Sequence, residues 1–260
     1  MNRFKTVFVL AIGVVSLAGC SLNPIEQDFI KPMQKAHGIK AWNKKRALAF
    51  DLDVKFGGND MIHGTFAFQL HGPRAMMQTS EDVDCYFDGT DAWVTNGSDD
   101  AYMMRFHVLT WPWFIYAPMA LEGEGVHVTD LMPRPFMDGE DAPSVRVTFD
   151  PGTGDTPDDW YVFYQDPKTK LLSGQAYIVT FGKTVAEANK EPHAITYGEF
   201  VNADGVMIPT LWHFWHWSET EGVHGEPIGT ATVTNLRFFE PTADSFAVPA
   251  DARKMSMPNS

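Results

Sequence analysis

From residue 48 onward, apolar residues recur at every second position. Leu48, Phe50, Leu52, Val54 and Phe56 alternate with polar or small residues, the pattern of a half-buried strand. Gly57-Gly58-Asn59-Asp60 reads as a turn, longer than the tightest hairpin types. Ile62, Gly64, Phe66, Phe68 and Leu70 then form a second alternating run. Shorter strand candidates follow at 75–79, 85–87 and 92–95, the last two split by Asp88-Gly89. Strands resume at 126–131, 144–149, 160–165, 171–181, 193–201, 206–217 and 229–239. Turn residues fall between them at Asp166-Pro167 and Ala203-Asp204-Gly205.

Two segments break this period. Ile25, Phe29, Ile30 and Met33 recur at helical spacing, with Asn23 as cap and Pro24 at the first position. Pro32 predicts a kink or a break, and His37-Gly38 marks the end. Residues 103–121 hold Trp111-Pro112-Trp113-Phe114-Ile115-Tyr116, then Pro118-Met119. This stretch is too apolar for an exposed loop and too proline-broken for a strand. It reads as a short helix or flap lying on the sheet, able to open because few backbone hydrogen bonds would hold it. The whole pattern predicts a mainly β fold: about ten to twelve antiparallel strands in a curled sheet, sandwich or incomplete β-barrel, with an N-terminal helix and an apolar insert. A transmembrane barrel also alternates, but the strand lengths here are uneven and the long turns show no consistent asymmetry.

The N-terminus has a different logic. Arg3 and Lys5 form a short positive region, and nothing from Thr6 to Gly19 is charged. That is the form of a secretory signal, and the run is too short for a spanning helix of about 20 residues. Leu17-Ala18-Gly19-Cys20 closely resembles the bacterial lipobox, in which the cysteine receives a diacylglycerol and the peptide is cut just before it. The expected organisation is a signal peptide at 1–19, a lipidated N-terminus and short linker at 20–24, one β domain at 25–250, and a loose tail at 251–260. Ser21, where an Asp would resemble an inner-membrane retention signal, favours the outer membrane, facing the periplasm.

Composition narrows the function further. The formal net charge is −13 and becomes more negative once Arg3 and Lys5 leave, so the body will not steer toward nucleic acid. Only two cysteines exist. With Cys20 acylated, Cys85 has no partner in the chain, and stability must come from a core rather than from disulfides. The 8 Trp, 19 Phe and 13 Met supply it. The expected form is a monomer with no cofactor.

Several local patterns together look like a known family. They are Ala36-His37-Gly38 with Trp42, Asp88-Gly89 with Trp93, and the Trp111-Pro112-Trp113-Phe114 insert. Tyr164, Asp166, Pro167, Thr169 and Leu171-Leu172 come next, then Asp204-Gly205-Val206 and Ile208-Pro209. The chain resembles uncharacterised bacterial lipoproteins of the LolA/LolB-like superfamily, over most of its length. The resemblance implies an incomplete barrel with a helix across its opening, enclosing a greasy cavity that carrier members use for acyl chains. It supplies no catalytic residue.

On this reading the cavity or lid residues are Trp93, Trp111, Trp113, Phe114, Tyr116, Met119, Trp212 and Phe214. The alternative for each is plain core packing. The run Leu211-Trp212-His213-Phe214-Trp215-His216-Trp217 invites a metal reading. On a strand, however, His213 and His216 point to opposite faces and cannot grip one ion without a bulge. No G-x-S-x-G or H-E-x-x-H is present. Three functions remain: a non-enzymatic lipoprotein that binds a lipid or other hydrophobe, a structural envelope lipoprotein with a self-filled core, and an envelope hydrolase.

Cells fed labelled palmitate should incorporate label into this protein and carry it in the membrane fraction. The Cys20→Ala protein should lose the label, and its retention would sink the lipobox reading.

Overall fold

The computed structural model describes residues 23–80, 83–96 and 102–255. The expected signal peptide and Cys20 lie outside the described residues.

Asn23 caps the first helix as expected, its Oδ1 accepting from the Ile25 N–H at 3.1 Å. The chain is helical from Pro24, passes through a π-helical turn at Glu26–Ile30, and continues as α1 (Lys31–His37). Pro32 therefore does not end the helix. Its ring would clash with the carbonyl four residues back, and the wide turn before it relieves that clash, so that the Lys31 N–H bonds to Glu26 O. Gly38 stops α1 in the left-handed conformation at φ +83°. A Cβ at this position would stand 2.1 Å from Gly205 O, so glycine is required twice over. A short α2 (Ile39–Trp42) follows.

β1 (Ala47–Phe56) and β2 (Asn59–Gln69) pair antiparallel, with Phe56 opposite Asn59. The turn between them is Gly57-Gly58 alone, both at positive φ, and so it is tighter than the four residues expected from sequence. β3 (Ala75–Thr79), β4 (Asp84–Phe87) and β5 (Ala92–Val94) extend this meander. A second meander runs β6 (Val126–Met137), β7 (Glu140–Phe149), β8 (Tyr161–Gln165), β9 (Leu172–Tyr177), β10 (His193–Ala203), β11 (Val206–Ser218) and β12 (Gly222–Phe239). β1 pairs with β12, which joins the two meanders into one sheet. Residues 251–255 are not the loose tail expected: β13 (Arg253–Met255) pairs with β5. The sheet has thirteen strands in the order β13-β5-β4-β3-β2-β1-β12-β11-β10-β9-β8-β7-β6, and its edges, β13 and β6, do not meet.

The insert takes the helical one of the two forms expected for it: α3 (Tyr102–Tyr116) is a fifteen-residue helix with Pro112 inside it, and a 3₁₀ turn follows at Ala117–Met119. α3 links β5, beside the β13 edge, to β6 at the other edge of the sheet. It buries Val108, Trp111, Phe114 and Ile115 in the main core with Phe50, Phe66, Phe163, Trp212 and Phe214. Along β8, Tyr161 and Phe163 enter this core while Val162 and Tyr164 enter a second one on the other face. There Trp217 Nε1 donates to Tyr164 Oη at 2.9 Å, and Phe136 from β6 stacks on Tyr164 at 4.5 Å. A third, smaller cluster sets Phe246 over Ala47, Ala49 and Ala67.

His37 locks α1 to the sheet. Its Nδ1–H donates to Met207 O at 2.9 Å, and its Nε2 accepts the Leu172 N–H at 2.9 Å. Only the neutral ring can do both. Burial pulls its pKa from 6.5 to about 4, against the opposing pull of the Met207 bond. Between these values the unfolded chain binds the proton and the folded chain does not. The contribution is therefore complete above pH 6.5 and is lost as the pH falls toward 4. Urea unfolding should lose roughly 3 kcal/mol of stability to this residue across that window. His37→Gln should be less stable at neutral pH but flatter with acidification. An unchanged slope would rule out His37 as the source.

Candidate hydrophobic-ligand cavities

α3 carries two apolar faces. Val108, Trp111 and Ile115 face the core, whereas Phe106, Leu109, Thr110 and Trp113, at i, i+3, i+4 and i+7, border open space. That space is a half-open cavity of about 360 Å³ between α3 and the sheet. The Trp113 ring meets Tyr116, Phe149 and Tyr161 at centroid distances of 5.5, 5.7 and 5.4 Å. The Phe114 ring meets Tyr177 at 5.1 Å. Burial pushes the hydroxyls of Tyr161 and Tyr177 upward, and that of Tyr116 up to about 12, so all three stay neutral.

One rim of this cavity is polar and comes from the loop containing Thr153, Gly154, Asp155, Thr156 and Asp159. Asp155 is held by Arg105 of α3: Nε and Nη2 donate to its two carboxylate oxygens at 2.5 and 2.8 Å. Arg105 Nη1 also donates to Thr90 O at 3.1 Å, and the guanidinium lies 5.0 Å from the Phe87 ring centre. Asp159 accepts from Thr180 N, Thr180 Oγ1 and Thr156 Oγ1, each at 2.7 Å. Burial nevertheless outweighs these bonds and raises its pKa.

A second cavity, of about 380 Å³, lies on the other flank of α3. Trp42, Phe68, Leu70, Val108, Pro112 and Met119 border it, with Gln69 and Arg74 supplying polar groups.

The eight residues picked out from sequence separate into groups. Trp113, Phe114 and Tyr116 line the first cavity, and Tyr116 and Met119 the second. Trp111, Trp212 and Phe214 line neither and are packed in the core. Trp111 Nε1 donates to His107 Nδ1 at 3.1 Å, and Trp212 Nε1 to Pro209 O at 3.1 Å. Trp93 sits apart from both cavities, its Nε1 donating to Asp88 Oδ2 at 2.8 Å. His213 lies beside Trp215, whereas His216 lies between His193 and His224, so the strand parity expected from sequence holds. No group of three or more metal-ligating side chains forms among the described residues, and no helix among them is long and apolar enough to cross a membrane. Sequence reasoning missed Phe106, Leu109, Tyr161 and Tyr177. The helical spacing of the first two was a usable signal once 102–116 was read as a helix. The tyrosines sit in apolar strands with nothing to mark them.

No family model and no curated protein matches the sequence. Solved structures similar in fold include a LolA superfamily protein from Nitrosomonas europaea, with a TM-score of 0.49 and 9% identity over 83% of this chain and 98% of that one. A putative outer membrane lipoprotein-sorting protein domain from Vibrio parahaemolyticus gives 0.49 and 11% over 85% and 96%. A DUF1329 family protein from Desulfovibrio piger gives 0.47 and 11% over 83% and 96%. Likeness at this level says nothing about ligand or partner.

Replacing Asp155 by Ala leaves the Arg105 guanidinium buried without its carboxylate. We expect a loss of about 2–4 kcal/mol in denaturant unfolding. Arg105→Met combined with Asp155→Ala should recover most of it, since no charge then remains buried. Equal losses in the single and double variants would contradict this.

Proposed function

We propose that this chain is a lipid-anchored envelope protein, held by Cys20 in the outer membrane and facing the periplasm, that binds a lipid or other hydrophobic molecule without catalysing a reaction. The observation that carries the binding is the half-open, aromatic-walled cavity of about 360 Å³ between α3 and the sheet. Its size falls within the range of about 300–1,000 Å³ usual for ligand pockets. Water filling such a space gains few hydrogen bonds, whereas each CH₂ moved into it contributes about 0.8 kcal/mol. The tyrosines are neutral and Asp155 is paired with Arg105, so the charge of the lining is confined to its polar rim.

Titration of the purified protein with a fluorescent fatty acid should show saturable enhancement, displaced by unlabelled fatty acid. Trp113→Ala should weaken binding about tenfold while thermal unfolding stays cooperative. If the parent protein binds neither fatty acid nor detergent, the binding reading fails. The alternative, an envelope protein with a self-filled core, would then stand, as the packing of Trp111, Trp212 and Phe214 would have it.

A further inference from the structure

Positive charge in this acidic chain is gathered in one place. Residues 31–46 hold six of its 20 Lys and Arg and none of its 33 Asp and Glu. They form α1, α2 and the turn into β1. Lys31 is tied to Glu26, and Lys45 to Asp204 at 2.7 Å. Lys35, Lys40, Lys44 and Arg46 are exposed and make no salt bridge among the described residues. Helical geometry turns the lysines outward. Lys35 stands two residues from both Met33 and His37, roughly 200° round the helix, and those two are buried. Lys40 and Lys44 stand in the same relation to the buried Trp42. Met33 and Trp42 enter one core, so α1 and α2 share an inner side and an outer side. The outer side is a cationic surface whose free charges have no counter-charge of their own.

The place of this segment in the chain supplies the partner. Cys20 precedes Asn23 by three residues, and three residues span roughly 10 Å at full extension. A chain anchored at Cys20 therefore keeps α1 beside the bilayer. We propose that the outer side of α1 and α2 docks on the anionic headgroups of the bilayer that holds the anchor, through Lys35, Lys40, Lys44 and Arg46. This rests on the Cys20 anchor proposed above and adds an orientation to it. The tether makes docking an intramolecular event, so individually weak contacts suffice. Each Lys or Arg close to an anionic surface favours it about fivefold. Three of the four are lysines, whose hydrated point charges suit mobile headgroups better than a fixed carboxylate that calls for a planar fork. The net charge of −13 works in the same sense: the same headgroups repel the acidic remainder, and the domain stands on its helices.

The test uses the lipid-modified protein in nanodiscs of phosphatidylcholine, or of phosphatidylcholine with about three in ten lipids exchanged for phosphatidylglycerol. Mass spectrometry reads the acetylation rate of single lysines. Lys55, at the far end of β1, and Lys190, between β9 and β10, serve as references. Lys35, Lys40 and Lys44 should react at least fivefold more slowly in the anionic discs than in the neutral ones, and the references equally in both. The protection should vanish in about 1 M salt, where the screening length falls to about 3 Å. Lys40→Gln with Lys44→Gln should return Lys35 most of the way to its rate in neutral discs, whereas Lys40→Arg with Lys44→Arg should keep it protected. All these side chains are exposed, so the substitutions spare the core. Unprotected lysines in both discs would overturn the proposal. So would equal protection in both, which closeness of the tether alone would give, and so would protection that appears only when an acidic protein is added. Each of these outcomes leaves the anchor intact, because the protein stays in the discs. A protein that enters neither disc would overturn the anchor and the docking together.

Discussion

The pairing of β1 with β12 holds the rest of the molecule in place. It runs from Ala47 opposite Phe239 to Phe56 opposite Gly229 and joins strands far apart in the chain. Each meander alone is a series of local hairpins, and neither could cover both of its faces. Once joined, they form a single curled sheet whose end strands do not meet. The connection between the meanders must then run from β5, beside the β13 edge, to β6 at the other edge. α3 is that connection, and its crossing of the sheet leaves space on both of its flanks.

A helix in this position has an unusual hydrogen-bond problem. Pro112 has no N–H to give the carbonyl of Val108, and Pro118 has none to give the carbonyl of Phe114. The second loss is compensated: Tyr197 Oη donates to Phe114 O at 3.1 Å and itself accepts from Gln175 Nε2. The far end of α3 is thereby held by side chains of β9 and β10, and its near end by Arg105 and Asp155. Gln175 Oε1 and Trp113 Nε1 remain buried without a hydrogen-bond partner among the described residues, and Trp113 stands in the cavity wall. Polar atoms left in this condition each cost about 1–3 kcal/mol. The core is therefore least settled beside the proposed site, where a ligand would have the most to offer.

Local chemistry made much of the architecture legible in the chain. Period-2 runs identified strands such as β1, because alternate residues there are buried. Asn23 and Gly38 marked the helix ends, since a side-chain acceptor and a left-handed glycine are local solutions to unpaired backbone groups. The parity of His213 and His216 on β11 also followed from strand geometry. Prolines were harder to read. Pro32 allowed a kink or a break, and Pro112 argued against a strand without choosing between a helix and a flap, because the cost of a proline is counted over one turn. Packing of Phe29, Met33, Trp111 and Phe114 over a whole sheet outweighs about 3 kcal/mol per proline.

The chain's own pattern thus determined the mainly β class, the antiparallel meanders and the apolar character of 103–121. All of these depend on neighbours within one or two turns of the chain. It could not determine which aromatic residues would line a cavity and which would fill the core. Trp111 and Trp113 are two residues apart and chemically identical, yet one is packed against Phe214 and the other faces open space. Their fates divide because β1 meets β12, β13 and β6 fail to meet, and α3 must cross between them. Each of those is a contact between residues distant in sequence, where the local pattern carries no information about geometry.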